Sequence, residues 1–423
     1  MAIDQKTICM STATSTDLAF YLLPSELLQD IFLRLALPDI LRLKSVSRNL
    51  NSFVSRDDFR QIYDRKSTAD PWIFLFKKRS PPRDSLLRGF SHRSRCWCSI
   101  PIPRAFHGHD LYFLTTSGDF FLFASNYHGD LLAFNLRRNT LERVPPAGPL
   151  GPRGTSSWRR SSLKLIAGPP GSDAFSFLFA DLYRNRPFLF RYSSATQAWT
   201  WKPAQEAADD GAAPRVLNGR VVLSVVHNRG ESVMVSADPA EIGDAPPAVL
   251  RPRFGAVGNA SAVGLVSGSS PEERLHVYGD GKMVVVRSDG GKKVAGGRIF
   301  RCVEVWGLTA DGRGWEFVTR VPQGLLERVK KPYRAMMGCL EERNGVLSLV
   351  LLSNYKGSWD IIWLSYGIGN GDWTWVPLPD CGTKDLNMAG IAISSGLCLL
   401  TDFSVPSSIV QKPARRALVG LPT

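Results

Sequence analysis

The residues first weighed for chemistry are six histidines and seven cysteines. The histidines are His92, His107, His109, His128, His227 and His276, and His107-Gly108-His109 would face one way on a strand, with Cys96-x-Cys98 close by in sequence. Neither spacing is that of a zinc site, which needs a second ligand pair at a defined distance. Gly367-Ile368-Gly369-Asn370-Gly371 is glycine-rich, but it lies between two strand-like runs instead of opening a helix. It therefore reads as a hairpin turn and not as a phosphate cradle. There is no Gly-x-Ser-x-Gly elbow, no P-loop and no carboxylate pair at catalytic spacing. These residues imply no enzyme, no cofactor and no metal. What remains is non-covalent recognition.

The side chains suited to recognition concentrate in residues 23–55, LPSELLQDIFLRLALPDILRLKSVSRNLNSFVS. Leu23-Pro24-Ser25-Glu26 predicts a helix start, with Ser25 as cap and an acid in the first turn. Leu27, Leu28, Ile31 and Leu35 recur at helical spacing and make an apolar stripe. Pro38-Asp39 breaks that helix and opens a second, whose apolar face carries Ile40, Leu41, Leu43 and Val46. A third short helix is expected around Leu50, Phe53 and Val54. Three short helices in so few residues have too little core to stand alone, since domains below about 40 residues usually need outside help. A partner is expected to complete them.

This stretch resembles an F-box. The family pattern is met by Leu23-Pro24, Glu26-Leu27-Leu28, Ile31, Arg34-Leu35, Pro38, Asp39, Leu41-Arg42-Leu43 and Val46-Ser47-Arg48. Two positions depart: Ser47 stands where Cys is usual, and Leu50 where Trp is usual. The resemblance implies docking to a Skp-type adaptor, and through it to a cullin, by Leu23, Pro24, Leu27, Leu28, Ile31, Leu35, Leu41, Leu43, Val46 and Phe53.

The chain of 423 residues has a formal net charge of +14, half of it from residues 56–104, with twelve Lys and Arg against five Asp and Glu. Such a run suits either a solvated connector or a nucleic-acid or acidic partner, and no aromatic-rich RNA signature accompanies it. Seven cysteines without a framework spacing suit reduced thiols, hence cytosol or nucleus. Residues 1–22 lack a basic segment followed by an apolar run, so no signal peptide is expected. No apolar run approaches the roughly 20 residues that span a bilayer, so no membrane is expected as partner.

In order, residues 1–20 read as a disordered N-terminus, 21–66 as the helical domain, 67–403 as an all-β region and 404–423 as a tail. Residues 56–70 read as a helical extension, and residues 325–329 as at most one helical turn. The β region repeats weakly: strand, turn, then a strand ending near Trp or another bulky residue, then Pro. The endings are Trp97 with Pro101, Val144-Pro145, Trp199-Thr200-Trp201 with Pro203, a degenerate one before Pro246-Pro247, Trp315 with Pro322, and Trp373-Thr374-Trp375 with Pro377. That period suits four-stranded propeller blades, about six of them. A ring buries both faces of each sheet, and an aromatic near each outer hairpin fills the wedge between blades. Residues 387–400 supply two more short strands that would pair beside the first blade and close the circle.

The combination, with Asp70-Pro71-Trp72-Ile73-Phe74-Leu75-Phe76 following the helices, resembles plant F-box proteins with a kelch-like propeller, although strict kelch Gly-Gly doublets are largely missing. The expected fold is thus mainly β, a propeller preceded by a small all-α domain. The resemblance implies a non-catalytic substrate-recognition subunit of a Skp–cullin–F-box ubiquitin ligase, with an unknown target held by the propeller. The alternative is a basic propeller scaffold that binds nucleic acid or an acidic protein.

Overall fold

The computed structural model describes residues 23–395 apart from 68–70, 79–84, 104–105, 107–109, 127–128, 161, 169–171, 207–219, 226–232, 239–245, 255–275, 281–283, 289–292, 295–296, 299–301, 330–334, 356–357, 380 and 382–386. The readings of residues 1–20, of the tail and of His107-Gly108-His109 lie outside the described residues.

Four helices come first among the described residues: α1 (Ser25–Leu33), α2 (Leu37–Val46), α3 (Arg48–Val54) and α4 (Asp57–Ser67). The expected cap at Ser25 is not formed. Pro24 occupies the cap position, and the Ser25 hydroxyl donates instead to the Glu26 carboxylate at 3.0 Å. A proline there fixes φ for entry into the helix, and its carbonyl still accepts the first helical bond, from Leu28 N–H at 3.1 Å. The Glu26 backbone amide and the Ser25 hydroxyl hold the Glu26 carboxyl below its ordinary range. Pro38 sits in the first turn of α2, where its missing N–H leaves no helical bond unmade. Ser47 is the cap of α3, accepting from Leu50 N–H at 3.2 Å.

The helices interlock through aromatic rings. Phe32 meets Phe53 edge-on at 5.5 Å, Phe53 lies 5.7 Å from Phe59, and Phe59 lies 5.9 Å from Tyr63. The Tyr63 hydroxyl donates to the Leu35 carbonyl at 3.0 Å and ties α4 to the end of α1. The same core continues without a break into Trp72, Phe74, Phe76, Phe121 and Phe123 of the β region. This corrects one expectation. The inner side of the helical trio needs no partner, because the first two sheets complete it.

Six sheets of four or more strands follow among the described residues. The first joins β1 (Pro71–Lys78), β2 (Ser85–Ser91) and β3 (Cys96–Ile100) to β27 (Asn387–Ser395) in the order β27-β1-β2-β3. The second runs β4 (Leu111–Ser117), β5 (Phe120–Ser125), β6 (Leu131–Asn135) and β7 (Thr140–Val144) as a plain meander. The third holds β8 (Leu163–Ala167), β9 (Phe175–Tyr183), β10 (Arg186–Ser193) and β11 (Ala198–Pro203). The fourth holds β12 (Gln205–Glu206), β13 (Val221–Val225), β14 (Val233–Ala237) and β15 (Ala248–Leu250), with β12 added in parallel outside β15. The fifth adds β16 (Arg253–Phe254) in parallel to β22 (Gly314–Arg320), then β21 (Val303–Leu308) and β18 (Val284–Ser288).

The sixth departs from blade form. It has five strands, with β17 (His276–Asp280) added in parallel to β23 (Ala335–Arg343), then β24 (Val346–Tyr355), β25 (Ser358–Gly367) and β26 (Trp373–Val376). Regular four-stranded blades therefore number five among the described residues, against the expected six or so. A small ribbon pairs β19 (Lys293–Val294) with β20 (Gly297–Arg298). Two short α-helices, α5 (Thr155–Arg160) and α6 (Gln323–Val329), and a 3-10 turn at Gly148–Leu150 lie between strands, α6 being longer than the single turn expected.

The inner strands neighbour one another in turn, β27 with β4, β4 with β8, β8 with β13, and β23 with β27, which is the arrangement of a propeller. Closure comes from β27, one strand where two were expected; residues 396–400 lie outside the described residues. It pairs antiparallel with β1, so the last strand among the described residues joins the first sheet and removes an open edge. The pairing is interrupted opposite Phe76 by a bulge, and there Gly390 takes φ of +143°. A Cβ at Gly390 would run into the Phe113 carbonyl oxygen and come within 2.6 Å of the Phe113 side chain, so only glycine lets β27 lie this close to β4.

Candidate adaptor-docking surface

Helix α1 divides its apolar residues between two directions. Phe32 and Leu33 point inward and are buried in the shared core. Leu27 and Ile31 stand one turn apart on the helical surface, with Leu23 just before the helix, and all three are exposed, Leu27 at 50 %. Val46, at the end of α2, is 68 % exposed. Pro24 is exposed beside the stripe. Leu28, Leu35, Leu43 and Phe53 are half-buried, packing one side against the core.

Leu41 is the correction within the expected docking set. It is 8 % exposed, packed in the core with Leu37 and Ile40. The reason is the phase of α2: Pro38 starts that helix so that Leu37, Ile40 and Leu41 share its inward side, and Val46 falls outside it. Leu41 therefore supports the surface from behind. Ile62 on α4 is a further exposed apolar residue that the periodicity of residues 23–55 did not bring into view. It lies in the run DDFRQIYDRKS, beside the buried Phe59 and Tyr63.

Two contacts hold this surface in place. Asp39 and Arg42, one turn apart on α2, pair at 2.8 Å. The Arg93 guanidinium, in the turn between β2 and β3, donates to the Arg34 carbonyl at the end of α1. This bond fixes α1 against the first sheet, so the stripe has a set direction relative to the ring.

Several cations of the basic segment have partners within the chain. Arg56 pairs with Asp58 at 2.7 Å and Arg60 with Asp57 at 3.2 Å. Lys78 pairs with Asp110, and Arg88 donates to the Cys381 carbonyl. Cys96 and Cys98 share one side of β3, and Cys96 Sγ lies 3.0 Å from the Ser94 hydroxyl. Hydrogen bonding from Cys98 brings the Cys96 thiol down to about 6, and Cys98 is pushed the other way by the same contact. No group of three or more His, Cys, Asp or Glu suited to a metal occurs among the described residues.

Residues 20–62 match the F-box domain family. No curated protein matches the chain. Among solved structures, one chain of a nidogen/laminin complex is similar over 78 % of this chain and 100 % of its own, with 8 % identity and a TM-score of 0.38. TolB from Acinetobacter baumannii is similar over 79 % of this chain and 72 % of its own, with 12 % identity and a TM-score of 0.34. Likeness at these scores is too distant to bear on function. The chain thus carries an F-box domain at residues 20–62, followed by a β-propeller arrangement of sheets.

Proposed function

We propose that this chain is the substrate-recognition subunit of a Skp–cullin–F-box ubiquitin ligase, with a kelch-like propeller that holds the target. What carries the reading is the exposed stripe of Leu23, Leu27 and Ile31 lying inside the matched F-box segment. Those side chains are apolar and uncovered, Leu27 and Ile31 on a helix whose other side is already packed and Leu23 just before it.

The adaptor docks on α1 by taking this stripe into an apolar groove, with Val46, Pro24 and the outer sides of Leu28, Leu35, Leu43 and Phe53 around it. Each Leu or Ile is about half exposed, so covering it adds roughly 1 kcal/mol, half the value of full burial. The bond-making chemistry lies in other subunits. This chain contributes proximity, holding a target at a fixed place relative to the adaptor. The rigid joint of α1 to the first sheet suits that task. The reading assigns the chain to cytosol or nucleus, compartments in which its thiols stay reduced.

The alternative, a basic scaffold for nucleic acid, draws on the charge of residues 56–104. Arg56, Arg60, Lys78, Arg88 and Arg93 all have partners within the chain, which leaves fewer cations for phosphate.

Co-expression of the full chain with a Skp-type adaptor tests the proposal. The two should co-purify, and a Leu27→Asp, Ile31→Asp chain should emerge alone. Co-purification of both chains alike would refute the docking face.

A further inference from the structure

Strand β3 carries a pair of thiols that adaptor docking does not use. Cys96 and Cys98 stand two apart on it, so both side chains lie on one side of the first sheet, the side that packs into the core shared with the helices. The register puts Trp72, Ser91 and Cys96 in one row and Phe74, Gly89 and Cys98 in the next. Gly89 has no side chain, and aromatic rings take its place: a Cβ there would lie 3.0 Å from Trp72 Cε3 and 3.2 Å from Phe74 Cε1. From α2, Arg42 and Asp39 act on both sulfurs.

The two sulfurs are in contact. The Cys98 thiol donates to Cys96 Sγ, and the Ser94 hydroxyl lies 3.0 Å from Cys96 Sγ. Both residues are half-buried, so solvent reaches the pair.

The strand limits what can join these sulfurs. Same-side neighbours along a strand stand about 6.6 Å apart, whereas a disulfide needs its Cβ atoms within about 4.5 Å. Closing one would pull Cys96 from Ser91 or Cys98 from Gly89 in the ladder. A metal ion spans more, about 4.6 Å for two bonds of zinc–sulfur length in line. Zinc itself wants four ligands, and no third His, Cys, Asp or Glu joins the pair among the described residues. The spacing that excludes zinc leaves room for a softer ion. Thiolates select Cu(I), a closed-shell cation satisfied by two of them in line. Two thiolates with one monovalent cation carry a single negative charge, and the Arg42 guanidinium faces it.

We propose that Cys96 and Cys98 form a two-thiolate site for one Cu(I) ion, beside α2. Each sulfur releases its proton to solvent as its bond to copper forms, and the copper stays monovalent throughout. The site is independent of the ligase reading, since none of its ligands belongs to the docking surface.

The test titrates the full chain, under nitrogen, with Cu(I) held by the coloured chelator bicinchoninate. Wild type and Cys381→Ser should each withdraw one equivalent more than Cys96→Ser or Cys98→Ser, with far-UV circular dichroism recorded on all four chains. A second reading needs the wild type alone. Iodoacetamide labelling with mass mapping should find Cys96 and Cys98 both shielded by Cu(I) and neither shielded by Zn(II). That reading decides the matter where a variant fails to fold. Shielding of fewer than both thiols, equal shielding by Zn(II), or the same copper uptake by folded Cys96→Ser and Cys98→Ser chains as by wild type would overturn the proposal.

Discussion

The Trp97 indole Nε1–H donates to the Pro379 carbonyl oxygen at 2.8 Å. Trp97 lies on the outer strand of the first sheet and Pro379 just beyond the outer strand of the sixth, so the bond spans the join where the ring closes. The device recurs. Trp199 of the third sheet donates to the Pro145 carbonyl behind the second at 2.7 Å, and Trp373 of the sixth donates to the Thr319 hydroxyl of the fifth at 3.0 Å. In each case the indole sits in the wedge between neighbouring sheets while its N–H ties the earlier sheet to the later one.

Trp97→Phe keeps a ring in the wedge and removes the tie. It should lower unfolding free energy by about 1–2 kcal/mol, a lost hydrogen bond plus a carbonyl left without its partner. Trp97→Ala should cost about 3–5 kcal/mol, because it also leaves a cavity. Urea unfolding followed by far-UV circular dichroism measures both.

Gly390→Ala should be more damaging than its single methyl suggests. The backbone at φ +143° is outside the range of an L side chain, and the added carbon meets the Phe113 backbone. The expected outcome is loss of β27 pairing, read as fast amide exchange across residues 387–395 and a marked fall in melting temperature. Wild-type exchange rates there would count against this account of closure.

Leu41 and Val46 separate support from contact. Leu41→Ala should cost about 2–5 kcal/mol in chemical denaturation, as for other buried leucines. Val46→Ser should stay within about 0.5 kcal/mol, because Val46 is on the surface. Equal losses would mean that the helices are not oriented as described.

Glu341 predicts a pH dependence. Burial raises its carboxyl pKa in the folded chain, with Arg343 and Lys164 opposing the rise. Between the ordinary carboxyl pKa and the raised one, the folded state binds more protons than the unfolded state, so stability falls as pH rises. Glu341→Gln lacks that term. Its stability relative to wild type should therefore increase from about pH 4.5 upward, the ordinary carboxylate range, and level off once the raised pKa is passed. Denaturation series across that range measure the difference; a constant offset would exclude Glu341 as the cause.

Much of this was legible from residue types. The Trp-bearing endings announced the outer strands at Trp97, Trp199 and Trp373, because a repeated unit must place its largest side chain where sheets meet. The sixth sheet's extra strand β17 was not legible, since a parallel strand added from a distant segment leaves no local signal. Ser47 looked like a departure from the F-box pattern, yet its hydroxyl caps α3. Ser25 looked like a cap and is not one, because Pro24 already sets the helix entry. The exposed stripe of α1 followed from spacing, but the inward turn of Leu41 depended on a core shared with sheets that begin thirty residues later. That Glu341 and Trp363 line one cavity depends on register across three strands, which no local pattern encodes.

The most direct test of the central claim is calorimetric titration of purified Skp-type adaptor into the full chain, wild type against Leu27→Asp, Ile31→Asp, with melting temperatures recorded for both. Docking through the α1 stripe predicts at least about hundredfold weaker binding, since two carboxylates would have to enter an apolar groove, at an unchanged melting temperature. Equal affinity for both chains would contradict it.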